Sequence, residues 1–167
     1  MAHVSYCIDK RTFHNDLIEQ VHPNDSTRLA ELDSYWSKLA NTVKNGDFEG
    51  YAAAYHEDAV VVFATGDNKV SVPLSSAMEG WKEGFINTKV GLHIDSVRFR
   101  FSQRIGNATT AHETGIFHFT SYDNDGKLLG EYLVHFEMLL IKRGDNWLGV
   151  MEYQKSNATQ EEWDLLE

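Results

Sequence analysis

Two neighbouring strands in the C-terminal half of the sequence carry the residue types that proton-transfer chemistry uses. Glu113 lies in a strand predicted over residues 109–121, and His135 and Glu137 lie in the next, predicted over residues 128–142. Two carboxyl groups in one dry environment cannot both ionise cheaply, so one is expected to keep its proton near neutral pH. A protonated acid beside an ionised base is what general acid–base catalysis requires. We therefore predict Glu137 as proton donor, Glu113 as base and His135 as an orienting or relaying group.

The turn between these strands decides whether the three side chains share a face. The segment Asp-Asn-Asp-Gly at residues 123–126 suits a type I turn with a left-handed glycine, which closes a three-residue hairpin loop. That loop places Glu113 opposite Glu137 and Phe117 opposite Leu133. A two-residue turn would shift the register by one and exchange the two faces of a strand. We prefer the longer loop because it uses all the turn residues.

Both faces of this hairpin are predicted to be largely apolar, so both should be covered. One face carries the three candidate residues together with Gly115, Phe117 and Leu133. The other face carries a second, mostly apolar set: Ile116, His118, Tyr132, Val134, Phe136, Met138 and Leu140.

A structural alternative leaves these residues without a catalytic role. Glu113 could pair with an arginine of the preceding strand, at position 98, 100 or 104, and His135 would then only fill its place. Buried ion pairs that are only structural also perturb the pKa values of carboxyl groups. Both interpretations stay open at the level of sequence.

No metal site or cofactor is predicted from the motifs of the chain. His112-Glu113 would need a second histidine at the position of Ile116 to form the zinc-binding motif His-Glu-x-x-His. There is no glycine-rich phosphate loop of either standard form, so no nucleotide is implied.

The composition indicates one domain and excludes several classes of partner. The chain has 167 residues, of which 42% are hydrophobic, which is enough for one sizeable core. A formal charge of −10 argues against nucleic acid, whose phosphates attract clustered lysine and arginine. A single cysteine excludes internal disulfides and is typical of a reducing compartment. No secretion signal or membrane-spanning run is evident, so we predict a cytoplasmic protein without a membrane partner.

The pattern of the remaining residues predicts helices first and an antiparallel meander last, which is an α+β arrangement. A long helix is expected over residues 27–45, closed by Gly46 in the left-handed conformation. Asp47 should cap a short second helix, and a buried strand follows at residues 60–63. A capping box at residues 76–79 predicts a third helix. The meander strands are predicted at residues 92–103, 109–121, 128–142 and 147–155.

The order of these pieces resembles the SnoaL-like family of the nuclear-transport-factor-two-like superfamily. The resemblance runs from the first helix through Gly46-Asp47 and the motif Tyr-x-x-Asp-Ala-Val at residues 55–60 to the Arg-Gly-Asp-Asn-Trp turn at residues 143–147. It implies a cone, in which a curved antiparallel sheet packs on a long helix and two shorter ones and encloses a pocket. The predicted divisions are an N-terminal extension (1–25), the cone domain (26–156) and a C-terminal tail that can dock as a short helix (157–167).

The resemblance also implies a ligand and a partner. In this family the concave side of the sheet closes over a pocket, here for a small and mostly apolar molecule. The convex sheet face commonly packs in a homodimer, so we expect the second apolar set to lie there. An overlay on the ketosteroid isomerase branch places Glu113, Gly115, Phe117, His135 and Glu137 on the pocket side, in agreement with the turn.

The same overlay argues against ketosteroid isomerase chemistry. The catalytic base of those isomerases falls at Phe63, and the tyrosine of their oxyanion hole falls at Leu39. Only the acidic partner of that hole has a match, which is Glu137. Leu39 and Phe63 are therefore predicted to line the pocket, and Leu133 lies on the predicted pocket face. Tyr55 could project into the cone as well, although its helical spacing is more typical of a core residue.

Two functions fit the sequence. The first is a cofactor-independent isomerase, dehydratase or cyclase that acts on a small apolar metabolite by acid–base catalysis. The second is a non-catalytic module that binds a ligand or mediates assembly. The loss of two isomerase residues favours the second, whereas buried acids would favour the first.

Overall fold

The computed structural model describes residues 23–166 and has a six-stranded sheet with four helices. Residues 1–22 of the predicted N-terminal extension lie outside the described residues. The elements follow one another as α1 (Pro23–Asn45), α2 (Phe48–Ala53), β1 (Tyr55–Phe63), β2 (Val70–Pro73), α3 (Leu74–Lys89), β3 (His93–Gly106), β4 (Thr110–Asp123), β5 (Leu128–Arg143), β6 (Asn146–Asn157) and α4 (Gln160–Asp164).

The sheet is curved and unclosed, and its strand order is β2-β1-β6-β5-β4-β3. All neighbouring strands are antiparallel except β1 and β6, which run parallel. The apolar stripe of α1, with Leu32, Trp36 and Leu39, is buried in the core against the sheet. We call the side of the sheet that faces α1 the inner face and the opposite side the outer face. The α+β cone predicted from the sequence is confirmed.

The connection between α1 and α2 forms as its residues predict. Gly46 has a φ of 63°, a conformation that glycine adopts at little cost and that closes the helix. The side chain of Asp47 then accepts a hydrogen bond from the backbone N–H of Gly50 at 2.9 Å, which satisfies one free donor of the new helix.

The start of the third helix differs from the prediction. Helix α3 begins at Leu74, two residues before the expected capping box, and its N-cap is Pro73, which makes no side-chain capping bond. Pro73 ends the short strand β2, and Leu74 is buried immediately after it. The four-residue strand β2 was not predicted, because so short a run has little hydrophobic pattern.

The hairpin of β4 and β5 has the predicted turn but not the predicted register. Asp123 donates its backbone N–H to the carbonyl of Lys127 at 2.9 Å, as the three-residue loop requires. One step into the strands, Leu129 is an extra residue, so that Ser121 lies opposite Gly130. This β-bulge shifts every later pair by one residue. The register predicted for the catalytic residues is therefore wrong.

The bulge reverses the side of the sheet to which β5 presents its apolar residues. Val134, Phe136, Met138 and Leu140 are buried, and Phe136 and Met138 belong to the core beneath α1. The predicted outer set is wrong for these four residues and for Tyr132, because all five point inward. Only Leu133, His135, Glu137 and their alternate neighbours are left on the outer face of β5.

The short helix α4 packs on the outer face. Thr159 and Glu162 form the capping box that their spacing indicates, and Trp163 is 3% exposed. The Trp163 ring lies under the guanidinium of Arg100, at 4.5 Å, and beside the ring of His118, at 5.4 Å. This helix therefore covers part of the outer face. Among residues 23–166, no helix has the length and apolar character needed to cross a membrane.

Candidate functional site

A cavity of about 510 Å³ lies between the inner face of the sheet and helices α1, α2 and α3. Much of its wall is aromatic, and the polar groups within it are few. The ionisable lining groups are Asp95, Glu152 and tyrosine hydroxyls, and no lysine, arginine or histidine is among the described residues that line it. A mostly apolar cavity with a few convergent polar groups is the usual form of a small-molecule site.

Glu152 of β6 is the carboxyl group of the cavity wall whose surroundings best suit a functional role. It is 6% exposed and accepts a hydrogen bond from the Tyr55 hydroxyl at 2.5 Å. Its other oxygen accepts a hydrogen bond from the side-chain amide of Gln154 at 2.8 Å. Neither partner carries a charge that would offset the loss of water around a carboxylate. Burial therefore raises the pKa of Glu152 above its ordinary value.

Two tyrosines extend this arrangement into a chain of hydrogen bonds. The hydroxyl oxygens of Tyr51 and Tyr55 are 3.2 Å apart. Because Tyr55 gives its only proton to Glu152, Tyr51 must be the donor in this pair. Burial first, and the neighbouring Glu152 charge second, raise the pKa of both tyrosines well above the ordinary value. Both hydroxyls therefore stay protonated and act as donors near neutral pH.

The backbone around Tyr55 explains how the chain places its ring beside Glu152. Tyr55 begins strand β1 and lies opposite Gly149 of the parallel neighbour β6. A Cβ atom at Gly149 would lie 2.8 Å from Cδ1 of Tyr55 and 2.9 Å from Sδ of Met138. The hydroxyl of Tyr35 donates to the carbonyl of Ala54 at 3.1 Å and fixes the preceding turn. The tyrosine ring thus fills the space that glycine leaves open.

Glu113, the predicted base, faces inward but belongs to an ion-pair cluster. It is fully buried, and its Oε2 accepts hydrogen bonds from Nε of Arg104 at 2.7 Å and from the Trp36 indole at 3.2 Å. Arg104 also reaches Asp33 at 2.6 Å. Glu113 is not among the residues that line the cavity. The structure therefore has the arginine pairing that the sequence left open as the alternative.

Glu137 and His135 lie on the outer face, away from Glu113. Glu137 binds Nζ of Lys155 at 2.6 Å and Nε2 of His112 at 3.0 Å, and the hydrogen bond from Lys155 is the main cause of its lowered pKa. His135 lies 3.3 Å from a carboxylate oxygen of Glu162 in α4. The prediction that the three candidates share one face is wrong, because the bulge turned β5 over.

The predicted pocket-lining residues divide into two groups. Leu39, Tyr55 and Phe117 line the cavity. Phe63, Gly115 and Leu133 are not among its lining residues, and Phe63 instead packs against the Trp81 ring at 6.0 Å.

Sequence reasoning missed Glu152 and Asp95. Glu152 is the only charged residue in the otherwise uncharged run from Trp147 to Gln154, and that contrast was a usable signal. Its partner Tyr55 lies 97 positions earlier in the chain, and nothing local connects them. Asp95 lies between Ile94 and Ser96 near the start of β3, in a segment that also contains His93 and Arg98, so no apolar run marks it.

A curved sheet that wraps a cavity beneath a long helix defines the nuclear-transport-factor-two-like class of cone folds. The profile of the SnoaL-like domain family matches residues 32–156 of this chain. The chain belongs to that family. A comparison with curated proteins found no match.

Several solved structures share this fold at low sequence identity. An NTF-2 like protein from Shewanella oneidensis has 13% identity and a TM-score of 0.59, over 77% of this chain and 99% of its own. The β subunit of the benzoate 1,2-dioxygenase from Burkholderia mallei has 16% identity and a TM-score of 0.62, over 75% and 87%. ActVI-ORFA from Streptomyces coelicolor has 15% identity and a TM-score of 0.60, over 76% and 95%. At such identities the likeness shows the fold alone.

Proposed function

We propose that this protein binds a small, mostly apolar molecule in the cavity and catalyses a proton transfer on it, with Glu152 as the acid–base group. The reaction classes that fit are isomerisation, dehydration and cyclisation. The observation that supports this proposal is a buried carboxyl group in the wall of an apolar cavity, held only by neutral donors. We assign to Glu152 the acid–base role that the sequence predicted for Glu113, Glu137 and His135. The contacts of those three residues leave them outside the cavity.

The chemistry follows from the surroundings of Glu152. Burial moves its pKa upward, toward the range in which a group can both accept and return a proton at physiological pH. Tyr55 and Gln154 each bind one oxygen and so fix the orientation of the carboxyl group. A ligand carbon or hydroxyl placed against Glu152 would lose its proton to the carboxylate, and the resulting acid would return it at another position. The wall around it keeps competing water away.

A non-catalytic binding or assembly role is the second candidate. One protein with this fold is named as the β subunit of a dioxygenase, which is a part of a larger assembly. On the outer face, Leu139 is 41% exposed and lies opposite Met151, which is an apolar area that a second copy could cover. A homodimer through the outer face stays a prediction. A cytoplasmic location stays a prediction as well.

Solvent exchange into an apolar carbon acid separates these functions. The probe is 2-tetralone, whose protons beside the ketone exchange slowly with ²H₂O and can be followed by proton NMR. We expect the protein to accelerate this exchange and Glu152→Gln to remove about 100-fold or more of the acceleration, which is a typical contribution of a general base. Glu137→Gln, which changes a carboxylate of the outer face, should retain it.

Binding must be measured alongside exchange. Trp36 and Trp81 line the cavity, so their fluorescence reports occupancy in each variant. Retained binding with lost exchange in Glu152→Gln is the expected result. Binding of 2-tetralone without accelerated exchange in the wild-type protein would instead favour the binding module.

A further inference from the structure

A second buried carboxyl group, Asp95, lies in the cavity wall and is not used by the proton-transfer proposal. It is 7% exposed, and its Oδ2 accepts a hydrogen bond from the Thr88 hydroxyl at 2.8 Å. Its Oδ1 has no hydrogen-bond partner among residues 23–166. A buried acceptor without a partner lowers stability, so it is normally matched by a hydrogen-bond donor. Asp95 is among the residues that line the cavity.

The charges around the cavity indicate what that partner is. Asp95 and Glu152 are its two carboxyl groups, and within the described chain no basic side chain lines it. A ligand that carries a carboxylate would meet two acidic groups and no cation. A ligand with a protonated amine would supply both the missing hydrogen-bond donor and the opposite charge.

Aromatic rings near Asp95 add to this preference. Val97 follows Asp95 on the same face of β3 and lies opposite Phe119 of β4. The rings of Phe119 and Tyr132 are stacked 6.1 Å apart, and both line the cavity. Aromatic faces attract organic cations through the ring quadrupole, and the attraction is stronger where water is excluded.

The two acids stand at different ends of the cavity. Asp95 lies opposite Ser121 of β4. Glu152 lies opposite Met138 of β5, which in turn lies opposite Glu113 of β4. Measured along β4, the two acids are therefore eight residues apart (121 − 113 = 8). A ligand that reaches both groups is therefore elongated. Its body lies along the aromatic wall between them.

We propose that Asp95 anchors the ammonium group of an elongated, apolar amine. This assignment rests on the proposed function in one respect, namely that the same cavity holds the ligand whose far end meets Glu152. It adds a substrate class that the proton-transfer proposal does not specify.

Three compounds of one shape test the assignment by calorimetry: 4-phenylbenzylamine, 4-phenylbenzyl alcohol and 4-phenylbenzoate. We expect the amine to bind the wild-type protein about 10-fold more tightly than the alcohol, and the carboxylate to bind least, as a charge-assisted bond predicts. Asp95→Asn keeps the shape and should remove the preference for the amine. Asp145→Asn, which removes one charge from an exposed turn, should keep it. Glu152→Gln should keep it too.

Each contrary result overturns the assignment. Equal affinity of the amine and the alcohol for the wild-type protein would do so even if Asp95→Asn failed to fold. Failure of all three compounds to bind would also contradict it, as would a preference that persists in Asp95→Asn or disappears in Glu152→Gln. The proton-transfer proposal is tested by exchange into 2-tetralone, which carries no ammonium group, so the two can fail separately.

Discussion

Glu113 and Glu152 are two buried carboxyl groups on the inner face of one sheet, and they lie on either side of the same residue. Met138 of β5 is opposite Glu113 of β4 and opposite Glu152 of β6. Glu113 is 0% exposed and Glu152 is 6% exposed. Glu113 has a guanidinium partner, whereas Glu152 has a tyrosine and an amide. Burial alone therefore does not distinguish these two acids, whereas the charge of the partner does.

The physical reason is that a protein can keep a buried carboxyl group in two ways. It can supply a cation that matches the charge, as Arg104 does for Glu113 at 2.7 Å. It can also supply neutral donors, in which case burial favours the protonated form and the pKa rises, as it does for Glu152. Only the second arrangement leaves a proton that can be exchanged near neutral pH. Sequence alone predicted Glu113 and Glu137 for the reactive role that we propose for Glu152.

The largest expected effect comes from removing the cation of the first pair. Arg104→Met leaves Glu113 buried without a counter-charge and should lower the free energy of unfolding by about 3–5 kcal/mol. Urea denaturation at pH 7 measures it. Adding Glu113→Gln to that variant should recover most of the loss, because the unpaired charge is then gone. The matched control is Asp33→Asn, which removes the charge of the exposed partner of Arg104. This change should lower the free energy of unfolding by less than about 0.5 kcal/mol. A small loss in Arg104→Met would show that the pair is not structural.

The second effect concerns Glu152 and depends on pH. Below its ordinary value of 4.5, both the folded and the unfolded protein hold this proton. Above it the unfolded chain releases the proton while the folded protein keeps it, so wild-type stability falls by up to about 1.4 kcal/mol per pH unit until the folded pKa is reached. Glutamine does not titrate. Glu152→Gln should therefore resemble the wild type at pH 4 and exceed it increasingly at higher pH, in urea denaturation at several pH values. A difference independent of pH would contradict the raised pKa.

The smallest effect, with the opposite sign, is expected on the outer face. The pKa of Glu137 is lowered, mainly by the hydrogen bond from Lys155, so its contribution to stability is present above the ordinary value of 4.5 and is lost as the pH falls through the folded value. Glu137→Gln should lower the free energy of unfolding by roughly 0.5 kcal/mol at pH 7, in the range of surface pairs. The same urea series should show this difference closing in acid. A stabilising effect at pH 7 would mean that Glu137 is not held by Lys155.

Local chemistry made most of the fold predictable. The stripe of α1, the Gly46-Asp47 connection, the four meander strands and the capping box of α4 all follow from residues within a few positions of one another. The turn of the hairpin was predicted for the same reason. The bulge at Leu129 was not, because Leu129 looks like any other apolar strand residue. One extra residue was enough to reverse the faces of β5 and to separate Glu137 from Glu113.

The candidate site could not be predicted in the same way. It depends on a pairing between β1 and β6, strands that are distant in sequence and become neighbours only in the folded sheet. Tyr55 could be named as a pocket residue from the family resemblance, but its bond to Glu152 requires the register of that parallel pair. The proposed role of Asp95 likewise depends on its hydrogen bond with Thr88 of α3 and on its place in the cavity wall. The sequence lists the ionisable residues, but it does not show which residues contact them in the folded chain.

Gly149 shows that an absent side chain can define the surroundings of the proposed acid–base group. A methyl group at this position would lie within 3.0 Å of the Tyr55 ring and of the Met138 sulfur, so the ring would have to leave its place beside Glu152. No search for acids, bases or nucleophiles would select this position. If the proposed function holds, a survey of natural variants should find this position as intolerant as Glu152 itself, because alanine there displaces the Tyr55 ring while every reactive atom is still present.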